Sequence, residues 1–459
     1  MSIATTPDTI PISESDPVAE RTVLTPEAPP ALPDTRPGLD EGAAAEHLDA
    51  ARPVASQRLM SLDAYRGLVM VLMISAGLGI PRVVKSFEQN PSLYHLKTPL
   101  WERLAYQTEH TDWIGCSLWD LIQPSFMFMV GAAVAFSVAS RRAKGQSFSR
   151  MLVHAIWRSI ALVLLAVFLT SSWSAKTEWI FTNVLAQIGL GYTFLFLVAW
   201  LKPRWQLATA AAILVLYWGA FAVYPKPPAD TDPAKVHLPA DWPRLQGFAS
   251  HWEKHTNLAA RFDGWFLNLF PHYDKKGATR IRYEYNEGGY TTLNFVPSLA
   301  TMILGLLAGE LIRSRLKSAA KFGILLAAGL AGLGLGWLFL HQLAWICPVV
   351  KRIWTPTWVI HSAGWAFLLL AVFFLVIDVI RIRFWAMPLV WVGMNSIAAY
   401  CMSQLLKPWF RENMQRHFGK EVFNAFGHTW SPITETAFFL LIVWAACWWM
   451  YRKKFFVKI

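Results

Sequence analysis

The sequence predicts an all-α polytopic membrane protein with about ten transmembrane helices. Of its 459 residues, 54% are hydrophobic and only 16% are charged. From residue 60 onward, apolar runs of about 20 residues recur, each long enough to cross the roughly 30 Å of hydrocarbon in a bilayer. Tryptophan and tyrosine cluster at the ends of these runs, as they do at membrane interfaces. The lipid bilayer is therefore the first expected partner.

Residues 1–57 are rich in Pro, Ala, Thr, Asp and Glu and show no apolar periodicity. Such a composition buries too little apolar surface to offset the entropy cost of ordering the chain. We therefore predict a disordered cytoplasmic tail at residues 1–57 and a transmembrane domain over residues 58–459. The tail lacks the basic start and apolar core of a signal peptide, so the first span is expected to act as the targeting signal.

Ten spans are predicted, with basic residues concentrated in every second connection. The spans cover residues 62–81, 118–139, 151–171, 180–200, 207–224, 292–312, 322–343, 357–378, 385–406 and 434–451. Arginine and lysine flank the first span and follow the second, fourth, sixth, eighth and tenth. All these connections lie on one side of the membrane if the count of ten is right. The positive-inside rule makes that side, and both termini, cytoplasmic.

The longest connection on the predicted outer side is the loop at residues 225–291, between spans five and six. It begins with a proline-rich stretch and later carries several tryptophan and tyrosine residues. A loop of this length is uncommon unless it is functional or disordered. Its aromatic residues favour an ordered structure, which is either a sugar-binding surface or a partly helical cap over the helix ends. Both alternatives stay open.

The net charge of +12 does not indicate a nucleic-acid partner. Residues 1–57 carry a net charge of −7, which leaves +19 for the rest of the chain, much of it in short loops between apolar runs. No basic run alternates with aromatic residues in a soluble segment. The four cysteines show no CxxC spacing, so we expect neither a metal site nor a disulfide framework. Cys116 and Cys347 are predicted to lie on the same side of the membrane. They could form a disulfide, or they could be two free thiols without a structural role.

The stretch from His110 to Gly131 begins as a polar, aromatic-rich loop and continues into an apolar helix. A histidine can accept a proton at neutral pH and return it within one reaction cycle. Asp112 and Asp120 follow closely, and a carboxylate that orients the imidazole is the usual companion of a catalytic histidine. Ionisable groups at a membrane boundary are costly unless they have a task. A loop histidine by itself is nevertheless more often an interface residue.

Four further polar sets lie at or within the ends of the spans. They are Asp63 with Arg66, Glu287 with the glycines after it, Lys351 with Trp354, and Asn395 with Ser396. An arginine at the inner edge of a membrane can bind a phosphate, but positive-inside anchoring also explains it. An asparagine within a span can simply hydrogen-bond a neighbouring helix. Each set therefore has a structural explanation as well as a functional one.

Taken together and in order, these sets resemble the heparan-α-glucosaminide N-acetyltransferase family. The matching motifs are Leu62-Asp63-Ala64-Tyr65-Arg66-Gly67, His110-x-x-Trp113-x-Gly115, Asp120-Leu121, Pro124-x-Phe126-x-Phe128-x-x-Gly131, Glu287-Gly288, Leu306-Leu307-Ala308-Gly309, Pro348-x-x-Lys351-x-x-Trp354-Thr355, and Gly393-Met394-Asn395-Ser396 with Tyr400. They cover roughly residues 58–406. The His110–Gly131 motif is the most specific of them.

The resemblance implies a multi-pass acetyltransferase of the bacterial inner membrane. Its co-substrate would be cytoplasmic acetyl-CoA, and its acceptor an amino sugar or other glycan on the outer side. His110 matches the family's active-site histidine, and Asp120 is its matched partner. The implied contacts to substrate or CoA are Asp63, Arg66, Trp113, Glu287, Lys351, Trp354, Asn395 and Ser396. The resemblance does not identify the acceptor, and it leaves open whether N- or O-acetylation occurs. It also leaves open whether transfer is direct or passes through an acetyl-histidine intermediate, and whether the protein forms a homodimer.

The sequence also departs from the family pattern. Relatives have a Gln-Arg pair where this chain has Ala186-Gln187, and Asn286 and Val350 replace an acidic residue and an asparagine. The N-terminal luminal domain of the animal enzyme is expected to have no counterpart in residues 1–57, so the heparan acceptor is not carried over.

Two alternative functions therefore stay open. One is a transporter or exporter of small solutes. Against it, the two halves of the sequence show no inverted repeat, and the predicted spans show no clear charged residue at their middle. The other is an inactive homologue with a scaffold role, which the departures favour.

Overall fold

A computed structural model describes residues 59–228 and 231–457, and these residues are largely helical. The helices are α1 (Met60–Ile74), α2 (Ile80–Gln89), α3 (Pro99–Gln107), α4 (Ile122–Ala143), α5 (Phe148–Ser171), α6 (Val184–Val198), α7 (Pro203–Val223), α8 (Leu258–Phe266), α9 (Phe295–Arg313), α10 (Ser318–His341), α11 (Pro356–Phe373), α12 (Met387–Gly393), α13 (Ser396–Phe418) and α14 (Ser431–Arg452). Strands β1 (His272–Tyr273) and β2 (Arg280–Ile281) form an antiparallel hairpin. The tail predicted at residues 1–57 lies outside the described residues.

The helices confirm the prediction of an all-α polytopic membrane protein. In the described part of the chain, eight helical segments are long and apolar enough to cross a bilayer. The pair Phe384–Gly393 and Ser396–Phe418 passes the same test together but is bent by 66°, and Val184–Val198 is a shorter apolar helix. Each predicted span coincides with one of these ten elements. The number that cross the membrane, and the sidedness of the ends, stay predictions.

Helices α4 and α9 form the centre of the bundle and touch backbone to backbone. A Cβ atom added at Gly131 would lie 1.8 Å from the Met302 carbonyl oxygen, and one at Gly305 would lie 1.9 Å from that of Phe128. Only glycine permits such an approach, which is how small residues bring membrane helices together. The contact brings the start of α4, which follows the His110 loop, close to the start of α9.

The first predicted span is interrupted after α1. Gly77, Leu78 and Gly79 all have positive φ angles, of 62°, 51° and 68°, and form a left-handed turn before α2. A Cβ at Gly77 would lie 2.6 Å from the Thr108 carbonyl oxygen, so the turn packs directly against the segment that precedes His110. The ninth predicted span is likewise bent rather than continuous, at the junction of α12 and α13.

The loop at residues 225–291 contains α8 and the β1–β2 hairpin and packs on the ends of the helices. Trp252, which is fully buried, belongs to a hydrophobic cluster with Tyr217 and Phe221 of α7 and with Trp113. The described part of the loop is thus a partly helical cap with a hydrophobic core of its own. All four cysteines of the chain are free thiols, so Cys116 and Cys347 form no disulfide.

Candidate active site

His110 lies in an irregular stretch between α3 and the short 3₁₀ turn Trp119–Leu121 that leads into α4. Pro124 sits in the first turn of α4, where a missing N–H costs no hydrogen bond because first-turn N–H groups have no partner within the helix. The motif therefore places a polar loop directly before a long apolar helix. Asp120 is fully buried in this turn, whereas Asp112 is exposed.

The Asp120 carboxylate is held by hydrogen bonds on both oxygens. Its Oδ2 accepts hydrogen bonds from the Thr111 N–H at 3.2 Å, the Thr111 Oγ1 at 3.0 Å and the Ser117 N–H at 3.2 Å. Its Oδ1 lies 2.8 Å from His110 Nδ1. Because the carboxylate is fixed from several directions, it also fixes the orientation of the imidazole ring. Asp120, not Asp112, is the partner of His110.

Lys351 reaches this loop through a backbone contact between distant segments. Ile114 and Val350 form an antiparallel bridge, and the Gly115 N–H donates to the Val349 carbonyl at 3.0 Å. Gly115 has a φ of 124°, a conformation that favours glycine. The pairing aligns the loop before α11 with the loop before α4, so the residue after Val350 is brought to the histidine.

Lys351, His110 and Asp120 form a compact charged cluster. The Lys351 Nζ lies 3.0 Å from His110 Nδ1 and 3.2 Å from Asp120 Oδ1. The lysine is only 3% exposed, and its ammonium also lies 5.8 Å from the ring centre of Tyr290. Both polar contacts of the ring use Nδ1. No hydrogen bond within the described residues reaches His110 Nε2, so that nitrogen is available to a substrate.

The surroundings lower the pKa of both cationic groups. Burial, reinforced by the charge of Lys351, lowers the pKa of His110 below its ordinary value of 6.5, although Asp120 opposes the shift. Burial lowers the pKa of Lys351 to about 8, again against the attraction of Asp120. Near neutral pH the site therefore combines a neutral imidazole with a charged ammonium. The neutral imidazole is suited to act as a general base or nucleophile, and the neighbouring ammonium is suited to stabilise negative charge.

His110 lines a cavity of about 350 Å³, which we call the histidine cavity. Its walls also include Trp119, Gln123, Phe126, Asn183, Tyr290, Lys351, Tyr400 and Gln404. The His110 ring lies 6.5 Å, between centroids, from both Trp119 and Tyr290. A volume of this size falls in the range of small-molecule sites. His110 and Lys351 therefore face a partly open space whose walls include four aromatic side chains.

A second cavity, of about 510 Å³, lies further along the same helices, and we call it the arginine cavity. Its walls include Arg66, Phe126, Ser137, Arg141, His154, Arg158, Tyr192 and Ser396. Phe126 lines both cavities. Val184 lines the histidine cavity, and the next residue, Leu185, lines the arginine cavity. Between Gln123 and Ser137, α4 rises about 21 Å at 1.5 Å per residue. The two cavities therefore follow one another along α4, with the buried ring of Phe126 at the boundary between them.

The arginine cavity adjoins a third, strongly basic pocket of about 640 Å³. Ser137, Arg141 and His154 line both, and Lys144 and Arg150 are added in the third pocket. This series of cavities, which we call the path, therefore has a basic end, beside the connection between α4 and α5, and a histidine end. These ends lie at opposite termini of α4.

The structure divides the other predicted site residues between these cavities and the core. Arg66 and Ser396 line the arginine cavity, and Arg66 pairs with Asp63 at 3.6 Å. Asn395 is fully buried behind Ser396, where its Oδ1 accepts a hydrogen bond from the Val457 N–H at 3.2 Å. These four residues are brought together at the inner part of the path. None of them lies beside His110.

Three predicted residues lie apart from the cavities. Trp113 is buried under the cap, where its Nε1 donates to the Trp252 carbonyl at 3.1 Å. Trp354 is buried beside α9, with a φ of 49° and a hydrogen bond from Nε1 to Thr301 Oγ1 at 3.2 Å. Both tryptophans position the two loops of the site without lining its cavity. Glu287 lines a separate surface groove next to the hairpin.

The departures from the family pattern are accommodated locally. Gln187 is buried and donates to the Phe181 carbonyl at 3.0 Å. The Asn286 Oδ1 accepts from the Tyr290 N–H at 3.2 Å, which helps to position that ring. Val350 is buried and supplies the backbone bridge that places Lys351. None of the three substitutions removes a group from the His110 cluster.

Sequence reasoning assigned no site role to Tyr290, Phe126, Arg141 or Arg158, although it predicted Arg66 of the second cavity. Tyr290 and Phe126 carry no chemical signal until the helices are placed next to each other. Arg158 could have been found, because an arginine inside an apolar run is costly and marks a functional position. The expectation of no clear charge at the middle of the spans is wrong for this residue. Its guanidinium donates to the Tyr192 hydroxyl at 3.1 Å, within α5 and α6.

The fold and the cluster define a polytopic helical membrane protein in which a histidine and a lysine, held by a buried aspartate, face a cavity. The family model for "heparan-alpha-glucosaminide N-acetyltransferase, catalytic" matches residues 92–231, which contain His110, Asp120 and Arg158. The resemblance to this family is thus confirmed.

Two relatives, both named heparan-alpha-glucosaminide N-acetyltransferase, extend the similarity over most of the chain. The protein from Mus musculus is 23% identical over 467 residues, covering 92% of this chain and 64% of its own length. The protein from Homo sapiens is 24% identical over 451 residues, covering 88% of this chain and 60% of its own length. The chain therefore spans less than two thirds of either relative. The comparisons support an acetyltransferase family.

Proposed function

We propose that the protein transfers the acetyl group of acetyl-CoA to an amino sugar or another glycan acceptor on the opposite side of a bacterial inner membrane. One observation carries the proposal: a basic pocket, the arginine cavity and the histidine cavity follow one another along α4, and the last two share Phe126 as a wall residue. A thioester donor with a phosphorylated head and a long, thin arm matches such a path. The names of the relatives support the acetyl group as the one transferred.

The donor would enter at the basic end. Arg141 and Arg158, with Arg66 opposite, would hold phosphates, since guanidinium groups bind phosphate through paired hydrogen bonds. The wider basic pocket with Lys144 and Arg150 would hold the remainder of the nucleotide. The pantetheine arm would then follow α4 past Phe126, and the thioester would reach the histidine cavity. This is the direction that the positive-inside rule predicts, with the basic end in the cytoplasm.

The reaction would take place at His110 Nε2. In direct transfer, Nε2 accepts a proton from the acceptor amine as its nitrogen attacks the thioester carbonyl, so that a C–N bond forms and the C–S bond breaks. The imidazolium then returns the proton to the departing thiolate of CoA. In the alternative, Nε2 itself attacks the carbonyl, the C–S bond breaks and CoA leaves as its thiolate; the acceptor amine then attacks the acetyl-imidazole, the ring leaves as neutral imidazole, and the amine proton goes to the CoA thiolate. Asp120 orients the ring in both versions.

Lys351 would stabilise the oxyanion of the tetrahedral intermediate. Its ammonium lies beside the ring and lines the same cavity. A single well-placed donor of this kind lowers the barrier by roughly 3–4 kcal/mol in other enzymes. Asn395, a second candidate from the sequence, does not line the histidine cavity, so the role falls to Lys351.

A transporter of small solutes is the second candidate, because the bent pair α12–α13 and the intramembrane Arg158 are features that transporters share. The two functions differ in what moves along the path. An acetyltransferase releases only the acetyl group at the histidine end, and the CoA arm that reached past Phe126 withdraws, whereas a transporter must release a whole solute there.

The test is acetyl transfer by the purified protein in lipid nanodiscs, supplied with labelled acetyl-CoA and a panel of amino sugars. We expect wild-type protein to acetylate at least one of them and His110→Ala to lose the activity. His95→Ala, at an exposed histidine outside the cavities, is the matched control. Undiminished transfer by His110→Ala would remove His110 from the mechanism. Solute uptake into proteoliposomes without CoA binding would favour the transporter.

A further inference from the structure

A groove of about 870 Å³ lies on the surface of the cap, and the mechanism above gives it no role, although Glu287, one of its wall residues, belongs to a motif of the family resemblance. One wall is the connection after α5, which includes Trp173, Lys176 and Glu178. The other wall is the β1–β2 hairpin and the segment after it, with Tyr273, Asp274 and Glu287. We call this the hairpin groove. Its size exceeds that of the histidine cavity, so it suits a ligand longer than a single small molecule.

Two chain segments and one hydrogen bond link the wall of the hairpin groove to the wall of the histidine cavity. Ile180 lines the groove, and Thr182 lines the cavity two residues later. Glu287 lines the groove, and Tyr290 lines the cavity. At a third point, Trp173 Nε1 donates to the backbone carbonyl of Gln404, a cavity residue, at 3.2 Å. The groove and the histidine cavity therefore adjoin each other through neighbouring wall residues, although no residue of the described chain lines both.

The groove presents aromatic side chains that are exposed rather than buried. Trp173 is 59% exposed, Tyr273 38% and Tyr285 36%. One face of the Tyr285 ring is stacked on His237, at 4.0 Å between centroids, which fixes the ring at the groove edge. Exposed aromatic groups around a polar cavity mark a binding site rather than a folding core. Flat apolar rings among hydrogen-bonding groups are the surface that a pyranose ring, with its apolar face and hydroxyl edge, requires.

The walls of the groove carry four acids and three bases, an excess of one negative charge. Its walls carry the acids Glu178, Asp274, Glu284 and Glu287 and the bases Lys176, Lys275 and Arg282. In the described part of the chain, Glu284 pairs with His237 at 3.7 Å, and the other three acids form no ion pair. Glu287 lies nearest in sequence to Tyr290 and the catalytic cluster. Sulfate groups would face these carboxylates, whereas ammonium groups would be attracted to them.

We infer that the hairpin groove binds an extended oligosaccharide acceptor that carries free amino groups and no sulfate, and presents its terminal sugar to His110. This inference rests on the proposed function, because it assigns the acceptor of the same site. Glu287 would attract the amino group of a sugar next to the reacting one. Tyr273 and Trp173 would stack on sugars further along the chain.

The experiment measures binding and turnover separately, with a glucosamine trimer, a glucosamine monomer and a heparin-derived sulfated oligosaccharide as probes. Binding to the His110→Ala protein is followed by calorimetry in nanodiscs, so that affinity is measured without turnover. Wild-type protein is assayed for KM and kcat with acetyl-CoA. The variants are Tyr273→Ala and Glu287→Gln. Trp345→Ala is the control, because Trp345 is 62% exposed and lies outside the groove.

We expect the trimer to bind at least tenfold more tightly than the monomer and the sulfated oligosaccharide. Tyr273→Ala and Glu287→Gln should each raise the KM for the trimer about fivefold or more, by a larger factor than for the monomer, and Trp345→Ala should change neither. Equal affinity for trimer and monomer, tighter binding of the sulfated probe, or a trimer KM unaffected by both variants would overturn the inference. In those cases His110-dependent acetylation of the monomer would still support the proposed function. Trimer binding without any acetyl transfer would support the groove and contradict the proposed function.

Discussion

Lys351 Nζ lies 3.0 Å from His110 Nδ1, although the two residues are separated by 241 positions in the chain. The same ammonium lies 3.2 Å from the Asp120 carboxylate that holds the ring. Under the proposed mechanism, one cation therefore does two things. It disfavours the protonated form of the imidazole, and it stands ready to stabilise the negative charge that develops on the carbonyl oxygen.

The first prediction is a bell-shaped pH profile for kcat/KM. Activity should rise with pH on an acid limb below pH 6.5, because the lowered pKa of His110 must be exceeded before the ring is neutral. It should fall again near pH 8, where Lys351 loses its proton. Rates measured between pH 5 and pH 9.5 with saturating acceptor check both limbs. An alkaline limb far above pH 8 would contradict the role of Lys351.

The second prediction concerns Lys351→Met, which keeps the side-chain length and removes the charge. We expect kcat to fall by about 10²- to 10³-fold, the usual loss for one oxyanion donor. The acid limb should move to higher pH, because the cation that lowers the pKa of His110 is gone while Asp120 remains. The alkaline limb should disappear. A rate loss without any movement of the acid limb would mean that Lys351 acts on folding rather than on the imidazole.

The third prediction is that Asp120→Asn lowers kcat by about 10³- to 10⁴-fold, as expected when the orienting carboxylate of a catalytic histidine is removed. The new amide nitrogen would also face the donors of Thr111 and Ser117, where the carboxylate now accepts. Asp112→Asn is the matched control at an exposed neighbour, and it should leave kcat within about twofold of wild type. The order of the two effects would be reversed if Asp112 were the partner.

The fourth prediction separates the phosphates of the donor from its thioester. Arg141→Gln and Arg158→Gln should each raise the KM for acetyl-CoA about tenfold or more, since a hydrogen bond to a charged group contributes about 1.5–3 kcal/mol. Neither variant should raise the KM for S-acetyl-pantetheine, which has no phosphate. Arg204→Gln, at an exposed arginine outside the cavity, is the control. Equal effects on both donors would argue against a phosphate site.

The fifth prediction tests the contact between α4 and α9. Gly131→Ala should lower the free energy of unfolding by about 3 kcal/mol or more, at the upper end of overpacking costs, because the new methyl group meets a backbone carbonyl that cannot rotate away. Gly219→Ala, in α7, should leave the Tm unchanged or raise it, since nothing lies within 4 Å of the added Cβ and alanine favours helix. Thermal unfolding in detergent compares the two. Equal Tm values would contradict the close helix contact.

Most of the helices could be predicted, because an apolar run long enough to cross a bilayer nearly always forms a membrane-spanning helix. The breaks within the spans could not be predicted. Leu78 adopts a left-handed φ that its own side chain disfavours, and the turn exists because its neighbours Gly77 and Gly79 pack against Thr108 and Pro432. Such contacts between distant segments leave no periodic trace in the sequence.

The site divides in the same way. The sequence placed Asp112 and Asp120 near His110, and the family resemblance singled out Asp120. Lys351 was visible only as one of several polar residues near the ends of the spans, because its position beside His110 depends on a single backbone bridge between Ile114 and Val350. Phe126 was visible as a motif residue, but its place between two cavities follows from the packing of several helices.

The buried ring of Phe126 has a consequence for the membrane as well as for the reaction. A continuous water-filled passage between the basic pocket and His110 would leak protons and ions and dissipate the potential across the bilayer. Under the proposed mechanism, the ring of Phe126 would block this passage whenever the arm of the donor is absent. After transfer, CoA would have to leave through the basic end by which it entered. The cell would therefore export the acetyl group and keep the CoA.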